Sequence, residues 1–297
     1  MTLEALRCFC AVAEEGSFRA AARRLARSQP AVSQQIRALE DELGQRLLDR
    51  RRHTLTPAGE LLYERGRRVV HDVAGIAREV ADLAERPDME LRVGTSDTVA
   101  LYILPACVRA FTQRNPQTRL VIVNRSSQAL GDQVLRGELD MAVVTLPASK
   151  DAFESQELFM QEFAAVVPSD HPLARKRRAN LDHLKNEPFL MLDAATRTGA
   201  LLVRHFEKAG FEPQAVLDSG SFEVIKRYVS EGIGVSILPR AVVTKRDEGV
   251  ACLDVPGLPT APIGAIWRRG GYMSRSARAF LELLQTPGIL PETWPEE

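Results

Sequence analysis

Apolar side chains recur at helical spacing through the first quarter of the chain. Leu3, Leu6, Phe9, Cys10 and Ala13 predict an amphipathic helix over about residues 2–14, and Gly16 ends it, since glycine takes the left-handed conformation of a helix stop. Ser17 is a suitable N-cap for a second helix that buries Phe18, Ala21, Ala22 and Leu25. Ser28 caps a third, with Pro30 in its first turn, where a missing N–H costs nothing. Val32, Ile36, Leu39 and Leu43 form the buried stripe of that helix and leave Gln29, Ser33, Gln34 and Arg37 outside. Arg50, Arg51, Arg52 and His53 then make a basic turn before the β-prone Thr54-Leu55-Thr56, which predicts a short hairpin wing. Thr56 and Pro57 begin a long helix without a strong breaker up to Glu85. Within it Leu62, Gly66, Val69, Val73, Ile76, Val80 and Leu83 alternate steps of four and three, a heptad seam for a partner helix in which Gly66 is the weak point.

After Met89 the pattern changes to strands and helices in alternation. "ELRVGTS", "RLVIVNRSS" and "LDMAVVT" read as strands around the helices "LYILPACVRAFTQRNP" and "ALGDQVLRGE". "PFLML", "AVLDS" and "GVSILP" repeat the theme around "GALLVRHFEKAG" and "FEVIKRYVSEG", and "IGAIWRR" precedes a last helix over about 274–284. The alternation predicts an α/β fold with parallel sheets covered on both faces. Two lobes joined by two crossings account for the order: residues 89–162 with 267–297, and residues 163–266. The chain thus divides into a winged domain over 1–58, a linker helix over 59–88 and a two-lobed domain over 89–297.

The chemistry follows from where polar groups collect. A helix fits the DNA major groove, and Arg and Gln can make paired hydrogen bonds to base edges there. Ser17, Arg19, Ser28, Gln29, Pro30, Ser33, Gln34 and Arg37 are the candidate DNA-contacting positions of the paired helices, with Arg50, Arg51 and Arg52 of the wing as phosphate contacts. In the two-lobed part, ligands are expected beyond the carboxyl ends of the strands. Ser96, Thr98, Ser126, Ser127 and Thr145 occupy those ends in one lobe; Thr196, Arg197 and Thr198 open a helix in the other, with Phe222 at the mouth beside Ser221. Hydroxyls and an arginine at a helix N-terminus suit an anion, so a small carboxylate is the expected effector.

Composition excludes some classes and leaves others. The 297 residues carry 39 basic and 39 acidic side chains, so only a local excess of charge can mark a nucleic-acid surface. At 45% hydrophobic the chain is globular. Cys8, Cys10, Cys107 and Cys252 have no disulfide-framework spacing, which fits a reduced setting, and "MTLEALRCFC" has no leader pattern, so a cytoplasmic, nucleoid-associated protein without a membrane partner is expected. His53, His71, His171, His183 and His205 show no metal-ligand spacing, and no phosphate loop, dinucleotide fingerprint or nucleophile elbow occurs. Neither catalysis nor a cofactor is expected. A redox sensor acting through Cys107 or Cys252, and a binding protein that never touches DNA, are the competing readings.

The string "F..V.E.GSF..AA..L..SQPAVS.QI..LE.ELG..L..R" over residues 9–50, followed by "LTPAG" at 55–59, resembles the LysR-type transcriptional regulators. "LRGELDMAV", "SDHPLA" and "VSEGIGVSILP" are also similar to family patterns, more loosely. The segment between Arg50 and Leu55 is shorter than the family's, which bears on the wing. The resemblance implies a helix-turn-helix over 18–37, a linker helix that pairs between subunits through Leu62, Val69, Val73, Ile76, Val80 and Leu83, and a periplasmic-binding-protein-like effector domain with a cleft between lobes. It further implies double-stranded operator DNA, a second copy of the chain in a dimer or tetramer, and RNA polymerase as candidate partners.

Overall fold

The computed structural model describes residues 1–49, 54–83, 90–146, 149, 151–244 and 246–290. Helices α1 (Leu3–Glu15), α2 (Phe18–Arg24) and α3 (Gln29–Leu43) pack around Leu6, Phe9, Val12, Val32, Ile36 and Leu39. Each start has a side-chain cap: Thr2, Ser17 and Ser28 accept from the backbone N–H groups of Ala5, Ala20 and Ala31. Ala21 and Ala22 are buried, and such small side chains let α2 approach its neighbours closely. One expected core residue is not in the core. Leu43 is 41% exposed, because α3 stops there and Gly44 turns in the left-handed region, bringing the buried Leu47 back to close the cluster. The wing strands β1 (Leu48–Asp49) and β2 (Thr54–Leu55) pair antiparallel, with Leu48 opposite Leu55.

Helix α4 (Pro57–Leu83) starts on Thr56, whose hydroxyl accepts from the Gly59 amide at 3.1 Å and donates to the Arg46 carbonyl at 2.6 Å. Its first turns serve the winged core rather than a seam. Leu62 packs into that core, and a Cβ on Gly66 would lie 2.5 Å from the Leu6 side chain. Gly66 is therefore the point of close approach to α1, and both residues leave the expected dimer stripe. Farther along, Val69, Ile76 and Val80 are 50%, 60% and 61% exposed and Val73 is half-buried. The side chain of Leu83 lies outside the described residues.

The rest of the chain forms two lobes. The first begins with β3 (Glu90–Thr95), a π-helical turn (Val99–Ile103), α5 (Pro105–Arg114), β4 (Arg119–Asn124), α6 (Ser127–Leu135), β5 (Met141–Thr145) and β6 (Phe153–Gln161). The expected single helix after β3 is split, since Pro105 suits the start of a new helix and not the interior of an old one. The second lobe holds β7 (Phe163–Pro168), β8 (Pro188–Leu192), α7 (Arg197–Ala209), β9 (Gln214–Ser219), α8 (Phe222–Ser230), β10 (Ser236–Pro239) and β11 (Val250–Leu253). Strand β12 (Ala261–Arg268) and α9 (Arg275–Gln285) follow.

The sheets are mixed, not parallel throughout. In the order β4-β3-β5-β12-β6, β3 runs parallel to β4 and β5, whereas β12 is antiparallel to both β5 and β6. The return from the second lobe enters the first sheet in the opposite sense. It does so at Ala261, paired with Gln161, so the crossing precedes the expected residue 267 and all of β12 belongs to the first lobe. In the second lobe β7 lies antiparallel between β10 and β11, while β8 and β9 pair in parallel and a Phe189–Val235 bridge joins the two groups.

Candidate functional site

Two surfaces gather the residues singled out in the sequence. On the winged domain, the N-terminal turns of α3 expose Gln29, Pro30, Gln34 and Arg37, with Ser33 half-buried. Ser17, Arg19 and Gln29 share a groove with Asp49 and Thr54 of the wing, whereas Arg37 lies apart, beside Gln45 and Arg46. Ser17 and Ser28 are occupied as caps. Arg50, Arg51 and Arg52 lie outside the described residues. Sequence reasoning passed over Glu40, only 7% exposed, whose carboxylate accepts from the Leu47 amide at 2.8 Å and the Leu48 amide at 3.4 Å. That buried carboxylate fixes the start of the wing against α3. Its signal was a polar residue next to Leu39 on an otherwise apolar stripe.

The second surface is a cavity of about 230 Å³ between the lobes. Its lining includes Ser96, Thr98, Ser126, Ser127, Thr145, Thr196, Arg197, Thr198 and Phe222, so all nine expected positions meet at one place. Asp97, Asn124, Arg125, Gln161 and Ser221 complete the polar wall; they adjoin the expected residues or, like Gln161, end a strand that was not predicted.

The hydrogen bonds decide what this wall can offer. Ser96, Ser126 and Ser127 accept from the amides of Val99, Ala129 and Thr145 at 3.5, 3.4 and 3.3 Å, which leaves each hydroxyl proton to be donated. Thr196 is spent: it accepts from Gly199 and donates to the Asp193 carbonyl. Thr145 and Thr198 bring their hydroxyls within 3.5 Å of each other across the gap. Helices α6, α7 and α8 all begin at this cavity, and Ser221 before α8 forms no side-chain cap. Helix N-termini present unpaired N–H groups and the positive end of the helix dipole. Against this, Asp97 is the one carboxylate among the described lining residues, and it accepts from the Asn124 side-chain amide at 2.9 Å. A donor-rich wall with two guanidinium groups favours a compact, acceptor-rich anion. The volume falls below the roughly 300–1,000 Å³ typical of sites for drug-sized molecules.

The cysteines stand elsewhere. Cys8, Cys10 and Cys107 are buried and none of the four lines the cavity. Burial pushes the Cys10 and Cys107 thiols up to about 12 and raises that of Cys252 as well, the opposite of a reactive thiolate. Among the described residues no group of His, Cys, Asp and Glu could hold a metal ion, and no helix is long and apolar enough to cross a membrane.

Comparison with known proteins matches this layout from end to end. Residues 3–60 fit the bacterial regulatory helix-turn-helix protein model of the lysR family, and residues 84–287 fit the LysR substrate binding domain. The HTH-type transcriptional regulator CysB of Burkholderia cenocepacia is 32% identical over 92% of this chain and 90% of its own. A full-length OxyR variant from Pseudomonas aeruginosa superposes with a TM-score of 0.81 at 26% identity, covering 100% of this chain and 99% of that one. Full-length CbnR, solved with its target DNA, gives 0.68 at 25% identity over 96% of this chain and 99% of its own. The relatives are named as transcriptional regulators and not as enzymes. With a winged helix-turn-helix, a long linker helix and a two-lobed substrate-binding domain in that order, the chain belongs to the LysR family of DNA-binding transcriptional regulators.

Proposed function

We propose that this regulator works as a homodimer or dimer of dimers on operator DNA and answers to a small anionic metabolite, a carboxylate, held between its lobes. The observation that carries the effector reading is the cavity wall, where Ser96, Ser126 and Ser127 have hydroxyl protons to donate beside three helix N-termini and Arg197. On DNA, Gln34 and Arg37 read base edges from α3, while Arg19 and the wing arginines Arg50, Arg51 and Arg52 hold phosphates. The stripe of exposed Val69, Ile76 and Val80 with half-buried Val73 pairs with its copy, setting two recognition helices about 34 Å apart, one turn of the duplex. Domain limits at about 1–58, 59–88 and 89–297 fit this division of labour, and the protein works in the cytoplasm on the nucleoid, with RNA polymerase as a further partner.

The switch is a shift in population. An effector that prefers one separation of the lobes changes the arrangement of subunits and with it the spacing or bending of the bound DNA. Thermal melting of the purified protein with a panel of small carboxylates tests the site. At least one should raise the melting temperature in proportion to its concentration, and the rise should vanish in Thr98→Val. A panel without any shift would remove the carboxylate from the reading. Sedimentation of Ile76→Asp tests the seam, and an undiminished oligomer would exclude it.

A further inference from the structure

Beside the cavity, one side chain of the first lobe reaches into the second. Tyr102 sits on the π-helical turn Val99–Ile103, four residues past the cavity residue Thr98, and its ring packs against a core of the second lobe that contains Val166, Leu190, Ile225 and Val242. Its hydroxyl donates to Glu223 Oε1 at 2.6 Å and accepts from Lys226 Nζ at 2.8 Å. Both partners are on α8, whose first residue, Phe222, lines the cavity.

The lysine is fully committed. Its ammonium also reaches the Val242 carbonyl at 2.8 Å and Asp247 Oδ1 at 2.8 Å, lies 3.2 Å from Glu223 Oε2 and is 5.3 Å from the centre of the Tyr102 ring. Three donors thus meet three close acceptors. Asp247 is itself held, accepting from the amide and hydroxyl of Thr244 at 2.7 and 2.8 Å. Only 8% of Lys226 is exposed, so these bonds act where water competes weakly. A π-helical turn inserts one extra residue into a helix and is frequent at functional sites. Here it is the turn that carries Tyr102 across the gap.

We propose that Tyr102, Glu223 and Lys226 form a latch that holds the two lobes together next to the ligand cavity and sets how much work an effector must do to move them. The latch itself does not depend on the identity of the effector or on the cavity being its site. Its coupling to the switch does rest on that reading, because Thr98 and Phe222 join the cavity to the two sides of the latch.

Hydrogen exchange followed by mass spectrometry on the full-length, unliganded protein tests it. Tyr102→Phe removes one hydroxyl and keeps the ring. Exchange should quicken on the order of tenfold, the equilibrium equivalent of one hydrogen bond to a charged group, in residues 97–103 of the first lobe and also in 222–230 and 240–247 of the second. Glu223→Gln, which keeps an acceptor, should have a smaller effect in the same three segments. Faster exchange confined to 97–103, or unchanged exchange throughout, overturns the latch. Because no ligand is added, failure of the carboxylate panel leaves this result standing, and the reverse holds equally.

Discussion

The seat of the wing on the linker helix gives the sharpest quantitative expectation. A Cβ on Gly59 would lie 2.1 Å from the Leu47 carbonyl oxygen and 3.0 Å from its carbon. An ordinary carbon–oxygen contact needs roughly 3.3 Å, so the backbone must open by about 1.2 Å in Gly59→Ala. The same carbonyl accepts the Thr56 amide at 3.0 Å, and the adjacent Thr56 hydroxyl grips Arg46, so the shift breaks at least one of these bonds. Losing a bond costs about 1 kcal/mol and forced overpacking about 1–3 kcal/mol. Alanine's better helix propensity returns roughly 0.5–1 kcal/mol. The net loss is about 1–3.5 kcal/mol, which lowers the melting temperature of a domain of this size by roughly 4–28 °C. Calorimetry on the full chain should show the winged-domain transition fall by that amount while the two-lobed domain holds its own, and affinity for operator DNA should drop with it. Gly66→Ala is the internal control, since its obstacle is the Leu6 side chain, which can rotate away, and its effect should stay within about 1 kcal/mol. If Gly59→Ala melts as wild type while Gly66→Ala does not, the reasoning from fixed backbone against mobile side chain is wrong.

Other expectations follow from the two surfaces. Gln34→Ala and Arg37→Ala should each cost about 1–3 kcal/mol of discrimination between operator and random duplex in a gel-shift titration, whereas Arg51→Ala should weaken both and lower the salt slope by about 1. Thr98→Val should leave basal DNA binding unchanged and blunt the response to an active carboxylate in the same assay. Alkylation of the native protein at neutral pH, read by mass spectrometry, should leave Cys8, Cys10 and Cys107 unmodified, with the half-buried Cys252 first to react; the thiols raised to about 12 stay protonated well below that pH. Ala26 has a positive φ of 52° in the turn between α2 and α3, so Ala26→Gly should raise the melting temperature by relieving about 1 kcal/mol of strain.

Much of this was legible along the chain because local rules were enough. Helix caps at Ser17 and Ser28, the stop at Gly16 and the apolar stripes are set by neighbours three or four residues away. The cavity residues could be named because strand ends and helix starts place small polar groups at one rim of an α/β sheet. What escaped depended on distant parts of the chain. Gly66 looked like a flaw in a heptad, yet its missing side chain makes room for Leu6, some sixty residues earlier. Ala261 joins the first sheet because Gln161 awaits it across the whole second lobe. Glu40 reads as a surface charge until the Leu47 and Leu48 amides fold back onto it.

The two surfaces impose opposite demands, and the latch reconciles them. A base-reading face must be rigid, and the side-chain helix caps and the buried Glu40 carboxylate make it so. A switch must be movable by the free energy a small ligand supplies, and a ligand acts only through its preference between two states. Moving an equilibrium from one part in a hundred to ninety-nine takes a differential affinity of about 5.5 kcal/mol, a demanding figure for a compact anion. Lobes joined through a hydrophobic interface of domain size would lie beyond that reach. Where the lobes meet near the cavity through the Thr145–Thr198 contact, the Tyr102 hydroxyl bonds and the packing of one ring, the free-energy difference to be overcome rests on a few contacts, each hydrogen bond about 0.5–3 kcal/mol. Such a joint is within the power of a ligand that offers replacement acceptors to the same side of the gap. The effector should therefore be recognised by its competition with polar contacts between the lobes rather than by the apolar area it buries, and tighter binding in Tyr102→Phe than in the wild type would be its thermodynamic mark.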